Sequence, residues 1–165
     1  MQRQQLGFSL IEVMIALVVL SLGVLGMAAL QTTAIQQNQS AYMRSQANQY
    51  AYDIIDRMRV NSGALNSYMD QSSGTEDSDC VSYSGTAAGC TTVEMAGNDL
   101  FEWFALLQQD LPGGTGRICR GTVAFAPITL VPDCVDVANS PVIVYIWWDD
   151  DRDGGTVTLS VSSEL

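Results

Sequence analysis

The side chains available for chemistry in this chain of 165 residues are carboxylates, cysteines and a few arginines. The sequence has no His, and all 7 of its basic residues are Arg. It therefore lacks an imidazole base, a Cys–His or Ser–His pair, a Schiff-base lysine and a P-loop lysine. Carboxylate pairs remain, but no spacing places two of them in a recognisable pocket. We therefore expect no catalytic site and no cofactor.

The densest group of carboxylates follows the pattern D-x-D-x-D-G and ends at Gly154. Asp149, Asp151 and Asp153 could supply several of the roughly six to eight oxygens that calcium requires. The twelfth position is Ser160 instead of the usual bidentate Glu, and the flanking segments are predicted to be strands. Calcium binding and a metal-free acidic hairpin turn are therefore both open.

Four cysteines lie beyond the apolar N-terminal segment and form no C-x-x-C pair: Cys80, Cys90, Cys119 and Cys134. An even number in a small polar domain suggests disulfides made in an oxidising compartment. Of the possible pairings we favour the local one, which joins Cys80 to Cys90 and Cys119 to Cys134, because each bond closes a short loop. Four buried thiols in a cytosolic protein are the alternative.

Glu12 is the one charge between Arg3 and Arg44, and it stands at the head of an apolar run. Residues 13–30 contain Ser21 as their only polar side chain, which satisfies the length of a membrane helix of about 20 residues. A carboxylate at the centre of such a helix costs about 2.5–3.5 kcal/mol on insertion scales, so Glu12 calls for a partner or a role. A secretory signal peptide, cut near residues 26–28, is the competing interpretation.

The helical pattern continues beyond the apolar run, with apolar residues at intervals of three or four up to Met58. We expect one helix over residues 8–60, apolar all round at first and amphipathic over 31–60. Asn61-Ser62-Gly63 supplies its end. Arg3 and the amino terminus are expected to stay in the cytoplasm, so that the rest of the chain crosses the membrane.

Residues 61–165 carry 15 acidic and 3 basic side chains, a net charge of −12. A surface of this sign repels phosphate backbones, so we expect no nucleic-acid partner.

Within residues 61–165, a turn-rich loop over 61–91 precedes a helix that ends at Pro112. This helix is either capped by Asp99 or starts early at Thr92.

Three segments with the composition of strands follow that helix: 116–131, 140–150 and 154–165. The last two are separated by a short acidic turn and predict an antiparallel hairpin. Trp147 and Trp148 are adjacent, so they point to opposite faces of a strand. We expect one of them in the core, together with the helical aromatic residues Phe101, Trp103 and Phe104.

The stretch Gly7-Phe8-Ser9-Leu10-Ile11-Glu12, followed by VMIALVVLSLGVLG, resembles the N-terminal signal of type IV prepilins and of type II secretion pseudopilins. The resemblance covers residues 7–30. Farther on, DLFEWFALLQQDLPGG and VYIWWDD resemble the type IV pilus modification (PilV) group of minor pilins. The leader carries one Arg where many prepilins have several, and the mid-helix proline common in major pilins is absent.

This resemblance implies an α+β fold of the type IV pilin kind, with a long N-terminal helix on a small, mostly antiparallel sheet and a disulfide-pinned loop region. The expected organisation is a leader (1–7), a transmembrane assembly helix (8–30), its amphipathic continuation (31–60) and a globular domain (61–165). The family also implies cleavage after Gly7 by a prepilin peptidase and methylation of the Phe8 amine. Glu12 would pair with the Phe8 amine of a neighbouring subunit.

The implied function is that of a minor pilin, a structural subunit that helps assemble a type IV pilus. Its partners would be other pilins, the prepilin peptidase and inner-membrane lipid. The globular domain would be periplasmic before assembly and on the cell surface afterwards. A minor pseudopilin of a type II secretion system is the alternative within this class. A membrane-anchored binding domain that never polymerises is the alternative outside it, but it leaves Gly7, Phe8 and Glu12 without a role.

Overall fold

The computed structural model describes residues 7, 9–80, 89–121, 134, 140–150 and 155–165. The chain divides into two compact units, Met1–Ser40 and Ala41–Leu165. Helix α1 runs over Leu10–Val60 and contributes to both units. A short 3-10 helix (Ser62–Ala64) and a single turn, α2 (Leu65–Tyr68), follow it. The predicted loop over 61–91 therefore begins with helical turns.

Helix α3 extends over Thr92–Asp110 and begins with a capping box. The Thr91 hydroxyl accepts a hydrogen bond from the Glu94 amide at 3.3 Å, and the Glu94 carboxylate accepts one from the Thr91 amide at 2.7 Å. These two bonds satisfy amide groups that the first helical turn leaves free. The alternative of a helix capped by Asp99 is wrong, because Asp99 lies inside α3 and is buried.

The sheet has three strands in the order β1-β2-β3, all antiparallel: Thr115–Arg120, Val142–Asp150 and Gly155–Ser163. The predicted β2–β3 hairpin is confirmed. The first predicted strand, over 116–131, is seen as β1, and residues 122–131 lie outside the described residues.

The core of the second unit lies where the amphipathic part of α1, helix α3 and one face of the sheet meet. Its largest side chains include Trp103 of α3 and Trp148 of β2, both at most 1 % exposed. Trp147 is half-buried, in line with the expectation that the two neighbours face opposite ways. Phe104 is also in the core, whereas Phe101 is 38 % exposed, contrary to expectation.

The segment after α2 passes very close to α3, and this approach depends on glycine. A β-carbon at Gly74 would overlap the backbone of Phe101, and the Thr75 amide donates a 3.0 Å hydrogen bond to the Gly97 carbonyl. Gly97 therefore lies where the segment packs against α3.

Replacing Gly74 with Ala should destabilise the second unit by about 2–3 kcal/mol, because the new methyl group meets backbone that cannot rotate away. The control is Gly63→Ala, where a β-carbon would meet nothing within 4 Å and the change should stay within about 0.5 kcal/mol. Urea unfolding of the full chain in detergent, followed by near-ultraviolet circular dichroism, measures both. Equal stabilities of the two variants would contradict the close approach.

Candidate assembly site

The N-terminal unit exposes apolar side chains on every side of α1. The large apolar residues from Leu10 to Ile35 are each 48–80 % exposed. By length and composition α1 could cross a membrane. A soluble surface rarely shows a continuous apolar area of this extent, so these side chains require lipid or other helices around them.

Glu12 lies in the first turn of α1, where the Ser9 carbonyl accepts hydrogen bonds from the amides of Glu12 and Val13 at 3.1 and 3.4 Å. A negative charge near a helix N-terminus is favourable because the free amides give that end partial positive charge. No cation pairs with the Glu12 carboxylate among the residues that the structure describes. Gly7 is exposed, and Phe8 lies outside the described residues.

In the second unit, α1 and α3 are joined by an ionic cluster around Arg57. The Arg57 guanidinium donates to Asp53 at 3.0 Å, to Asp99 at 3.1 Å and to Glu102 at 2.6 Å. Burial alone would lower the pKa of Arg57, but the hydrogen bond to Glu102 and the charges of Asp53 and Asp99 outweigh it and raise that pKa. Arg57 therefore remains a cation and offsets part of the negative charge of three carboxylates.

Two further side chains connect this cluster to the end of α1. The Tyr68 hydroxyl donates to Asp99 at 2.5 Å and accepts from the Asn61 amide nitrogen at 3.0 Å. That nitrogen also donates to the Thr92 carbonyl at 2.7 Å, which ties the end of α1 to the start of α3. Burial, together with the hydrogen bond to Asp99, raises the pKa of Tyr68, so its hydroxyl stays a donor.

The other end of α3 is held by Tyr50 of α1. The Tyr50 hydroxyl donates to Asp110, and the Trp103 indole donates to the Tyr50 carbonyl at 3.0 Å. Burial and the hydrogen bond to Asp110 raise the pKa of Tyr50 to about 12. Polar contacts therefore fix α3 along α1 near both of its ends.

The structure joins Cys80 to Cys90 and Cys119 to Cys134, which is the sequence-local pairing. The paired Cα atoms are 5.0 and 5.1 Å apart. Cys119 belongs to β1 and is 1 % exposed.

Of the three candidate calcium ligands, only Asp149 lies within the described residues. Its amide donates to the Pro112 carbonyl at 2.8 Å, and its carboxylate accepts from the Thr156 hydroxyl at 3.5 Å. In the described part of the chain, no group of three His, Cys, Asp or Glu side chains could hold a metal ion. Calcium binding by Asp149, Asp151 and Asp153 therefore stays a prediction.

The fold and the N-terminal motif define the class of protein. A long apolar N-terminal helix, a small antiparallel sheet and two disulfides form the architecture of type IV pilins. Residues 29–101 match the family "Type IV pilin Tt1218", and residues 2–28 match the "Prokaryotic N-terminal methylation motif". Comparison with curated proteins and with solved structures returned no significant match.

Over residues 2–101 the chain is therefore similar to type IV pilins. This family is structural rather than enzymatic, which agrees with the lack of His and Lys in the sequence. The sequence motif led to Gly7, Phe8 and Glu12 but not to the Arg57 cluster. One sequence signal for that cluster was Asp53, which lies one helical turn before Arg57. The partners on α3 could be recognised only from the fold.

Replacing Arg57 with Gln should lower the free energy of unfolding by about 2–3 kcal/mol, because the buried Asp99 carboxylate would lose its cationic partner. Arg59 is the matched control, since it is 54 % exposed and pairs with an exposed Asp56. Arg59→Gln should change stability by about 0.5 kcal/mol or less. Urea unfolding at neutral pH distinguishes the two, and a harmless Arg57→Gln would show that the cluster does not hold α3 on α1.

Proposed function

We propose that this chain is a minor pilin, which enters a type IV pilus as a structural subunit and takes part in starting its assembly. The observation that carries the proposal is the exposed apolar length of α1, headed by Glu12, which has no cationic partner among the described residues. Lipid can cover the apolar side chains before assembly, and helices of neighbouring subunits can cover them in a fibre. Pilins assemble with other pilin subunits, and the methylation motif implies processing by a prepilin peptidase.

The charge of the globular part supports a minor rather than a major role. Residues 61–165 carry a net charge of −12. In a fibre built of this chain alone, neighbouring domains would repel one another strongly. A few copies placed among less acidic pilins avoid that repulsion.

The disulfides support a location outside the cytoplasm for the second unit. Disulfides persist in oxidising compartments such as the periplasm and the cell surface. The proposed route is a single-pass inner-membrane protein with a periplasmic C-terminal domain, which becomes part of the surface pilus on assembly.

The mature protein should begin at Phe8 and carry one methyl group on its amine. Mass spectrometry of N-terminal peptides, from membranes and from sheared fibres, tests this directly. An intact Met1, or a terminus near residue 27, would contradict the proposal. Processing at Phe8 with no protein in sheared pili, together with a secretion defect on deletion, would instead identify a minor pseudopilin of a type II secretion system.

Glu12→Ala should leave membrane insertion and processing intact but reduce the amount in sheared pili by about tenfold or more, since an amine buried among helices would lose its counter-charge. Glu76→Ala is the control, because Glu76 is an exposed carboxylate of the second unit. Immunoblots of membranes and of sheared pili, compared for both variants, give the readout. Equal incorporation of the two variants would show that Glu12 does not pair during assembly.

A further inference from the structure

The outer edge of β3 can be assigned residue by residue from the register of the sheet. The Ile118 carbonyl of β1 accepts a hydrogen bond from the Asp70 amide at 2.8 Å, so the backbone N–H and C=O groups of Ile118 point away from β2. Ile118 is paired with Val144 of β2, so the backbone groups of Val144 point away from β1 and towards β3. There Val144 is paired with Val161, whose backbone groups therefore point towards β2. Since residues alternate along a strand, the backbone groups of four β3 residues point outward: Thr156, Thr158, Ser160 and Ser162.

The two edges of the sheet differ in how they are covered. The β1 edge is covered by Asp70, which also forms a 2.9 Å ion pair with Arg117. Strand β1 is in addition cross-linked to Cys134 through Cys119. Within the described part of the chain, no backbone hydrogen bond reaches the outer edge of β3. An uncovered edge is a template for another strand.

Edge strands are usually protected from unwanted pairing by Pro, Lys, inward-pointing charges or bulges. The nine residues of β3 contain no Pro and no charged side chain. All nine pair with β2 in one continuous register, without a bulge. As far as the described residues show, this edge is therefore long, regular and unprotected.

The side chains of β3 also leave apolar surface uncovered. Val157, Leu159 and Val161 pack on the core but remain partly exposed. In a strand added beside β3, every second side chain would cover these three apolar residues. The other side chains of the added strand would lie beside the Thr and Ser side chains on the opposite face of the sheet.

Charge at the ends of β3 argues against a second copy of this chain as the added strand. Asp149 and Asp150 end β2 beside the first residues of β3, and Glu164 follows β3 at its other end. Parallel pairing of two copies would bring the Asp149 and Asp150 carboxylates of both copies to the same end. Antiparallel pairing would bring these carboxylates next to Glu164 of the other copy, where Arg59 is already paired with Asp56.

We propose that the outer edge of β3 binds an extended strand of a different pilin, with apolar residues at alternate positions and basic residues near Asp149 and Asp150 at the end of β2. This inference rests on the proposed function, since it names the neighbour of this chain in the fibre. Backbone hydrogen bonds would supply affinity, and the charges of Asp149 and Asp150 would select the partner.

Peptide binding tests the edge without a fibre. The probe is a nine-residue peptide of alternating Val and Thr with two Lys at each end, added to the full chain in a neutral detergent. It should protect the amides of Thr158 and Ser160 from hydrogen exchange. The same peptide with Glu in place of Lys should bind about tenfold or more weakly at low salt. No protection by the Lys peptide, or equal binding of both peptides, would overturn the proposal.

Two proline variants separate the free edge from the fold. Ser160→Pro removes an outward amide, whereas Val161→Pro removes an amide that bonds to β2. Ser160→Pro should unfold close to the wild-type temperature and lose peptide binding, while Val161→Pro should unfold at a clearly lower temperature. Ser160→Ala keeps the amide and should bind the peptide as the wild type does. Full peptide binding by a folded Ser160→Pro variant would refute the edge assignment.

In cells, Ser160→Pro should be processed normally but fall about tenfold in sheared pili relative to Ser160→Ala, because a partner carbonyl would lose its donor. Normal incorporation of Ser160→Pro would overturn the proposed contact while leaving the minor-pilin function intact. If even the wild type were missing from pili, that function would fail, and the peptide experiment would decide the edge by itself. A Thr158→Cys variant that cross-linked mainly to itself would assign the edge to a second copy and overturn the choice of partner.

Discussion

Arg57 is the electrostatic centre of the packing between α1 and α3. It contacts a carboxylate on its own helix, Asp53, and two on α3, Asp99 and Glu102. Without this cation, the acidic face of α3 would meet the acidic side of α1 across a partly buried boundary. Since the sheet packs on the same two helices, its place in the core depends on α3 keeping its position.

The apolar contacts around this cluster supply most of the favourable free energy, and the polar contacts set the alignment. Ala47, Ala51 and Ile54 of α1 are fully buried, and the small alanines allow other elements to approach the helix closely. Hydrogen bonds then fix α3 at both ends, from Tyr50 to Asp110 and from Asn61 to the Thr92 carbonyl, and Tyr68 adds one to Asp99 inside the helix. Apolar packing alone would tolerate a shift of α3 along α1, whereas these directional bonds would not.

The long helix, the hairpin and the local disulfides could be predicted because each produces a signal within a short stretch of sequence. Apolar periodicity marks α1 up to Met58, and two strand-like segments around a short turn mark β2 and β3. Asp99 shows the limit of such reasoning, because a carboxylate before an apolar helical run has the pattern of a cap. Its actual partners, Arg57 and Tyr68, are 42 and 31 residues away in sequence.

The capping box Thr91-x-x-Glu94 was the local signal that sequence reasoning missed. The position of β3 at an edge of the sheet could be recognised only from the sheet order, which single strands do not reveal.

Cys90 directly precedes the capping residue Thr91, so a covalent constraint and a helix cap act on consecutive residues. Forming the first turn of a helix is the unfavourable step in helix formation, because several backbone angles are fixed for a single hydrogen bond. The bond to Cys80 reduces the conformational freedom of the chain just before that turn, and the Thr91–Glu94 box satisfies its first amides. Oxidation therefore lowers the entropic barrier to nucleating α3 from its N-terminal end. The compartment that forms this disulfide thus also favours the helix against which Arg57 packs.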